Sequence, residues 1–155
     1  MEETNIYSVA RYFISQSTPG TSQAITPLKL QKLAFYAQAL SFAINGRELF
    51  EEDFEAWVHG PVSPELYYEY KKYRSQEINE REMQPELNPE DEKVLKIVWK
   101  LYGSKDGKYP ENKTHKESPW REARGNLNFY QSSNQVITKN SINEYYSRKY
   151  RVQLV

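Results

Sequence analysis

The sequence predicts a mainly α fold, one compact domain over residues 1–155 with about six helices and one short two-stranded β ribbon. Three observations carry this. Apolar residues recur at helical spacing through most of the chain. A capping residue stands directly before proline four times, at Thr26-Pro27, Ser63-Pro64, Asn88-Pro89 and Ser118-Pro119. Strand-like alternation is confined to Phe54–Val58, with Gln135-Val136-Ile137 as the partner for a ribbon of 54–58 with 135–137.

The elements follow in order. From Asn5 to Gln16, Ile6, Val9, Ala10, Phe13 and Ile14 make one apolar face. After a polar break, TPLKLQKLAFYAQALSFAING is the strongest helix. Thr26 caps it, Pro27 takes the first helical position where no N–H is needed, and Asn45-Gly46 ends it in the left-handed manner. Leu30, Leu33, Ala34, Ala37, Leu40 and Ile44 form a stripe that Leu28, Phe35, Ala39 and Phe42 widen, so this helix is expected at the centre of the core. Gly60-Pro61 reads as a corner after the strand. Ser63-Pro64 then opens a helix bearing Leu66, Tyr67, Tyr70 and Tyr73. Asn88-Pro89 opens another, on which Val94, Leu95, Val98, Leu101 and Tyr102 align and which Gly103 stops. Glu65, Glu90 and Asp91 lie where a helix dipole favours acids. Ser118 is expected to cap WREAR, and Ser141 with Glu144 to form the capping box of a terminal helix faced by Ile142, Tyr145 and Tyr146. In each proline case the residue before it is pushed out of the helical region, which sharpens the start.

Composition excludes several function classes. Twenty-one basic residues balance 21 acidic ones, so no basic field holds the chain to nucleic acid and no specific nucleic acid is expected. Without cysteine there are no disulfides, thiolate nucleophiles or thiolate zinc sites. No apolar run approaches the roughly 20 residues of a membrane span, and MEETNIYSVARYF does not read as a signal peptide, so a cytoplasmic protein is expected.

Catalytic chemistry is weakly supported. His59 or His115 could serve as a base, Ser63 or Ser118 as a nucleophile, and Glu55 or Glu117 as an orienting acid. Both serines are better explained as helix caps, and no Gly-x-Ser-x-Gly elbow is present. Two histidines outside any HExxH spacing do not build a zinc site, and GSKDGK lacks Walker spacing, so no cofactor is expected. The acidic 48–55 and the basic SRKYRVQLV read first as a solvated loop and as cations at a helix C-terminus. The 13 tyrosines say more. Tyr67, Tyr68, Tyr70, Tyr73, Tyr145 and Tyr146 spread around their helices, so several must reach the surface, and tyrosine is enriched where proteins bind proteins.

Three blocks, in their order, resemble the SocA-like, or Panacea, antitoxin domain family, whose members include phage-associated proteins: ITPLKLQKLAFYAQ (25–38), LFEEDFEAWVHGPVSPELYYEYKKY (49–73) and THKESPWREAR (114–124). With the flanking helices the resemblance spans nearly the whole chain. It implies a helical, non-enzymatic antitoxin that neutralises a toxin encoded next door by direct binding. The alternative within the family is an adaptor that delivers its toxin to an ATP-dependent protease. A small hydrolase using His59 or His115 is the further alternative. Some relatives carry an added DNA-binding domain, for which this chain leaves no room, so neutralisation without autorepression is expected. By match to the blocks, the residues expected to touch the partner are Lys29, Lys32, Tyr36, Trp57, His59, His115, Trp120 and Arg121.

Overall fold

The computed structural model describes residues 1–105, 116–125, 127 and 133–154, the last four for their backbone only. His115 lies outside the described residues. Among them are six α-helices: α1 (Ile6–Gln16), α2 (Pro27–Asn45), α3 (Pro64–Tyr70), α4 (Pro89–Tyr102), α5 (Ser118–Arg124) and α6 (Lys139–Leu154). A single 3-10 turn, Lys71–Tyr73, extends α3. The strands are β1 (Phe54–Trp57), β2 (Gly60–Val62) and β3 (Val136–Ile137). The fold is mainly α with a small antiparallel sheet, as the sequence predicts.

Helix starts are set locally. The Thr26 hydroxyl accepts from the Lys29 N–H at 3.3 Å, Ser63 from Leu66 at 3.3 Å, and the Asn88 side chain from Asp91 at 2.9 Å. Each satisfies one of the orphan donors of a first turn. Gly46 ends α2 in the left-handed conformation. Two starts differ from the sequence reading. Glu117, not Ser118, occupies the N-cap position of α5, without a capping bond from its side chain. Thr138, not Ser141, supports the start of α6, its hydroxyl accepting from the Ser141 N–H at 3.1 Å. At α5 the Glu117 carboxylate is bonded inside the protein and does not cap, and at α6 a threonine three residues before Ser141 supplies the cap.

The sheet has the order β2-β1-β3. The expected pairing of β1 with β3 is present, Phe54 opposite Ile137 and Glu55 opposite Val136. Gly60-Pro61, read as a corner, instead belongs to a strand: Trp57 pairs with Gly60, Ala56 with Pro61 and Glu55 with Val62. The connection is a two-residue turn, Val58-His59, and Gly60 follows it at φ 108°, a backbone conformation that side chains resist. Three residues containing proline show no period-two pattern, which is why β2 is invisible in the sequence.

Helix α2 is the hub, packed most extensively against α6 and α4 and also touching α1, α3 and β2. From Lys29 to Ser41 every residue is buried. The apolar ones join a single core with Ile6, Phe13, Phe54, Val94, Leu95, Val98, Ile142 and Tyr146. Phe35 meets Phe54 and Tyr146 edge-on at 5.3 and 5.8 Å, and Tyr36 stacks on Tyr102 at 5.0 Å. Leu101, aligned with this face by spacing, is instead 49% exposed. Val94, Leu95, Val98 and Tyr102 already fill the stripe that α4 turns inward.

Candidate functional site

The polar residues of α2 look like interruptions of an apolar face, yet they are buried and hold loop backbone. Gln31 grips the Ser63 peptide on both sides, its Nε2 donating to the carbonyl at 3.0 Å and its Oε1 accepting from the N–H at 2.8 Å. Gln38 does likewise for the 49–50 turn, donating to the Phe50 carbonyl at 2.9 Å and accepting from the Leu49 N–H at 2.6 Å. Lys32, fully buried, donates from Nζ to the Pro61 carbonyl at 2.8 Å. Lys29 donates to the carbonyls of Ser22, Ala24 and Gly103 at 3.2, 2.8 and 2.5 Å. Buried donors must be satisfied, and carbonyls of irregular chain are the acceptors that helices leave over. The LQKL block is thus a spool on which loops are wound.

A second hairpin clamp comes from α5. The Trp120 indole donates to the Trp57 carbonyl at 2.8 Å, and Arg124 donates from Nη1 to the Ala56 carbonyl at 3.2 Å while its guanidinium lies 4.9 Å from the Trp120 ring centre. Trp120 and Arg124 are each 5% exposed. Beneath them, Glu117 is buried and takes three donors. Its Oε1 accepts from the Tyr36 hydroxyl at 2.6 Å and the Tyr146 hydroxyl at 3.0 Å, and its Oε2 pairs with Lys149. Burial first, then the charge of Glu117 and neighbouring phenols, pushes the Tyr36 and Tyr146 hydroxyls far above their ordinary range. They are hydrogen-bond donors, not acids. Their role is to fasten α2, α5 and α6 around one carboxylate.

Held from both sides, the hairpin forms one wall of a groove of about 770 Å³. Leu28, Trp57, Val58, Val62 and Tyr67 make it mainly apolar, with His59, Lys71 and Arg74 among the remaining lining residues. The Trp57 ring packs edge-on to Tyr67 at 5.1 Å, and its indole donates to Glu55 at 2.8 Å. Glu55 in turn lines a shallower concavity with Glu51, Glu52, Asp53 and Glu65. The outer face of the hairpin is therefore divided, acidic around Glu55 and apolar with cations beyond Trp57.

The residues expected from the sequence to touch a partner fall into three groups. Lys29, Lys32, Tyr36 and Trp120 are buried and bonded within the chain. Trp57 and His59 line the groove, and Arg121 is exposed on α5. His115 lies outside the described residues. Sequence reasoning missed Leu28, Val62, Lys71 and Arg74 as groove residues, because the hairpin that gathers them was itself half seen. It also missed Glu117 as an anchor. The acid immediately before the Ser-Pro start offered a hint, but its three donors come from two segments distant in sequence, Tyr36 on α2 and Tyr146 with Lys149 on α6.

The serines considered as nucleophiles are spent on structure. Ser63 donates its hydroxyl proton to Glu65 at 2.9 Å, and Ser118 donates to Glu122 at 2.7 Å. Among the described residues no group of three or more His, Cys, Asp or Glu side chains could hold a metal ion, and no helix is long and apolar enough to cross a membrane.

A search of curated proteins finds no match, and a search of solved structures finds none. The family model described as antitoxin SocA-like, Panacea domain, matches residues 30–121, a span that holds most of α2, the β1–β2 hairpin, α3, α4 and the start of α5. That span is more than half of the chain and contains Gln31, Lys32 and Trp120 of the residues that hold the hairpin, so the protein belongs to the SocA-like, Panacea-domain antitoxin family.

Proposed function

We propose that the protein is an antitoxin that acts in the cytoplasm by binding a cognate toxin encoded in an adjacent gene. One observation carries this reading: the family-matched segment builds a rigidly clamped hairpin that presents an apolar, aromatic groove to solvent. Such a preformed surface binds at low ordering cost, and buried aromatic anchors supply most of the energy in protein interfaces. Trp57 and His59 are the contact residues in this reading, with Arg121 at the periphery and His115 assigned to the same role by its block. Lys32 and Trp120 support binding indirectly by fixing the hairpin, while Lys29 holds the chain at Ser22, Ala24 and Gly103 and Tyr36 anchors Glu117.

The test is co-expression with each neighbouring gene product. Relief of growth arrest together with a stable co-purifying complex is the expected result. Rescue failing with every neighbour would refute the proposal. Direct neutralisation also leaves the toxin's half-life unchanged in cells, whereas delivery to an ATP-dependent protease would shorten it and a protease-deficient strain would restore it.

A further inference from the structure

We infer that the groove receives a protein segment carrying one bulky apolar side chain flanked by carboxylates. The inference rests on the proposed partner-binding role in taking the occupant to be protein.

Three observations converge on this chemistry. First, Leu28, Trp57, Val62 and Tyr67 supply apolar walls around about 770 Å³, a volume within the usual range for sites that enclose large apolar groups. Second, the charges are segregated. Acidic and basic residues are equal in number over the chain, yet the described lining residues include Lys71 and Arg74 and no carboxylate. Neither cation forms an ion pair among the described residues; Lys71 instead lies 5.0 Å from the Tyr68 ring centre. A complementary partner is anionic here. Third, Arg74 is the single non-glycine residue with positive φ among those described, at φ 54° and ψ −114°. Glycine would meet that conformation without strain, and a strained backbone kept at a surface cleft points to a use for the side chain.

Nucleic acid fits less well. Binding a strand takes a row of cations along its phosphates, and two cations beside the acidic concavity at Glu55 and Glu65 do not provide one.

The experiment selects a random dodecapeptide library on the full chain and measures the leading peptide by fluorescence anisotropy. Selected peptides are expected to carry an aromatic or large aliphatic residue next to two or more acids. Replacing those acids by lysine, or the apolar residue by glycine, should weaken binding at least about tenfold each. The Lys71→Glu, Arg74→Glu double variant should lose about tenfold or more while keeping the thermal midpoint, since both side chains are exposed. Arg74→Gly is the second variant; it relieves the backbone, so weaker binding cannot be ascribed to a damaged fold. Absence of enriched peptides, enrichment without acidic bias, tighter binding of a 12-nucleotide RNA at about the same salt, or unchanged affinity of the double variant would each overturn the inference. The two readings separate cleanly. If the double variant still rescues cells from the toxin, the groove chemistry is wrong and the antitoxin reading stands. If the native chain rescues nothing but binds acidic peptides as described, the groove chemistry stands and the antitoxin reading falls.

Discussion

Replacing Glu117 by glutamine tests whether one buried carboxylate fastens three helices. The side chain is 4% exposed and its oxygens accept from Tyr36, Tyr146 and Lys149. Glutamine keeps the shape and the two phenol contacts but removes the charge. A hydrogen bond to a charged group contributes about 1.5–3 kcal/mol and a neutral one about 0.5–1.5, so each phenol bond should weaken by about 1 kcal/mol. The Lys149 ammonium then faces an amide donor. Its side chain is 25% exposed and can turn to water, which holds that loss to about 1 kcal/mol. The total is about 3 kcal/mol, equivalent to a fall of roughly 6–12 °C in the melting temperature of a domain this size. Differential scanning calorimetry measures it, with Tyr36→Phe as the partner in a double-mutant cycle. That variant keeps the 5.0 Å stack on Tyr102, so the cycle isolates the hydroxyl–carboxylate bond, with a coupling of about 1 kcal/mol expected. A Glu117→Gln melting temperature within about 1 °C of the native value would refute the reasoning, because a solvated surface acid would behave that way.

Two further outcomes follow from packing and burial. At Gly103 an added Cβ would stand 2.7 Å from the Trp99 ring and 2.5 Å from its carbonyl oxygen, and the Gly103 carbonyl also receives Lys29. Gly103→Ala should cost about 1–3 kcal/mol by overpacking, read as a lower denaturation midpoint at unchanged slope; an unshifted midpoint would show that Trp99 yields freely. Alkaline titration probes the buried phenols. Burial chiefly raises Tyr36, Tyr70, Tyr146 and Tyr150 above the ordinary value near 10, so the native state keeps protons that the unfolded chain releases. Their contribution to stability is full below pH 10 and is lost as pH rises beyond it. Phenolate absorbance should therefore rise in two phases, exposed tyrosines first and the buried set only together with loss of near-UV circular dichroism. A single wave with the fold intact would contradict the assignment.

How much of this was legible beforehand depends on how far apart the deciding atoms lie. The starts of α2, α3 and α4 were readable because a cap, a proline and an orphan N–H sit within four residues of one another. The start of α5 was blurred because the residue at its N-cap turns away, its carboxylate drawn inward by Tyr36, Tyr146 and Lys149. The pairing of β1 with β3 could be guessed from alternation, but β2 could not, since Gly60-Pro61-Val62 is too short to alternate and two of its three residues are disfavoured in strands. It is a strand because Trp57, two turn residues away, offers a ladder, and because Lys32 and Gln31 hold Pro61 and Ser63 against α2.

By itself, then, the sequence determined the helical class, the central place of α2 and the blocks that mark the family, all of which are local patterns or periods along the chain. The tertiary structure alone decided what the polar members of those blocks are for. Lys29, Lys32, Gln31 and Tyr36 carry the same letters whether they face a partner or a neighbouring loop. Desolvation makes the difference: once α2 is enclosed, each donor must find an acceptor inside the protein. The acceptors it finds are carbonyls and a carboxylate from 5 to 81 residues away. What those bonds leave at the surface is the groove beside Trp57.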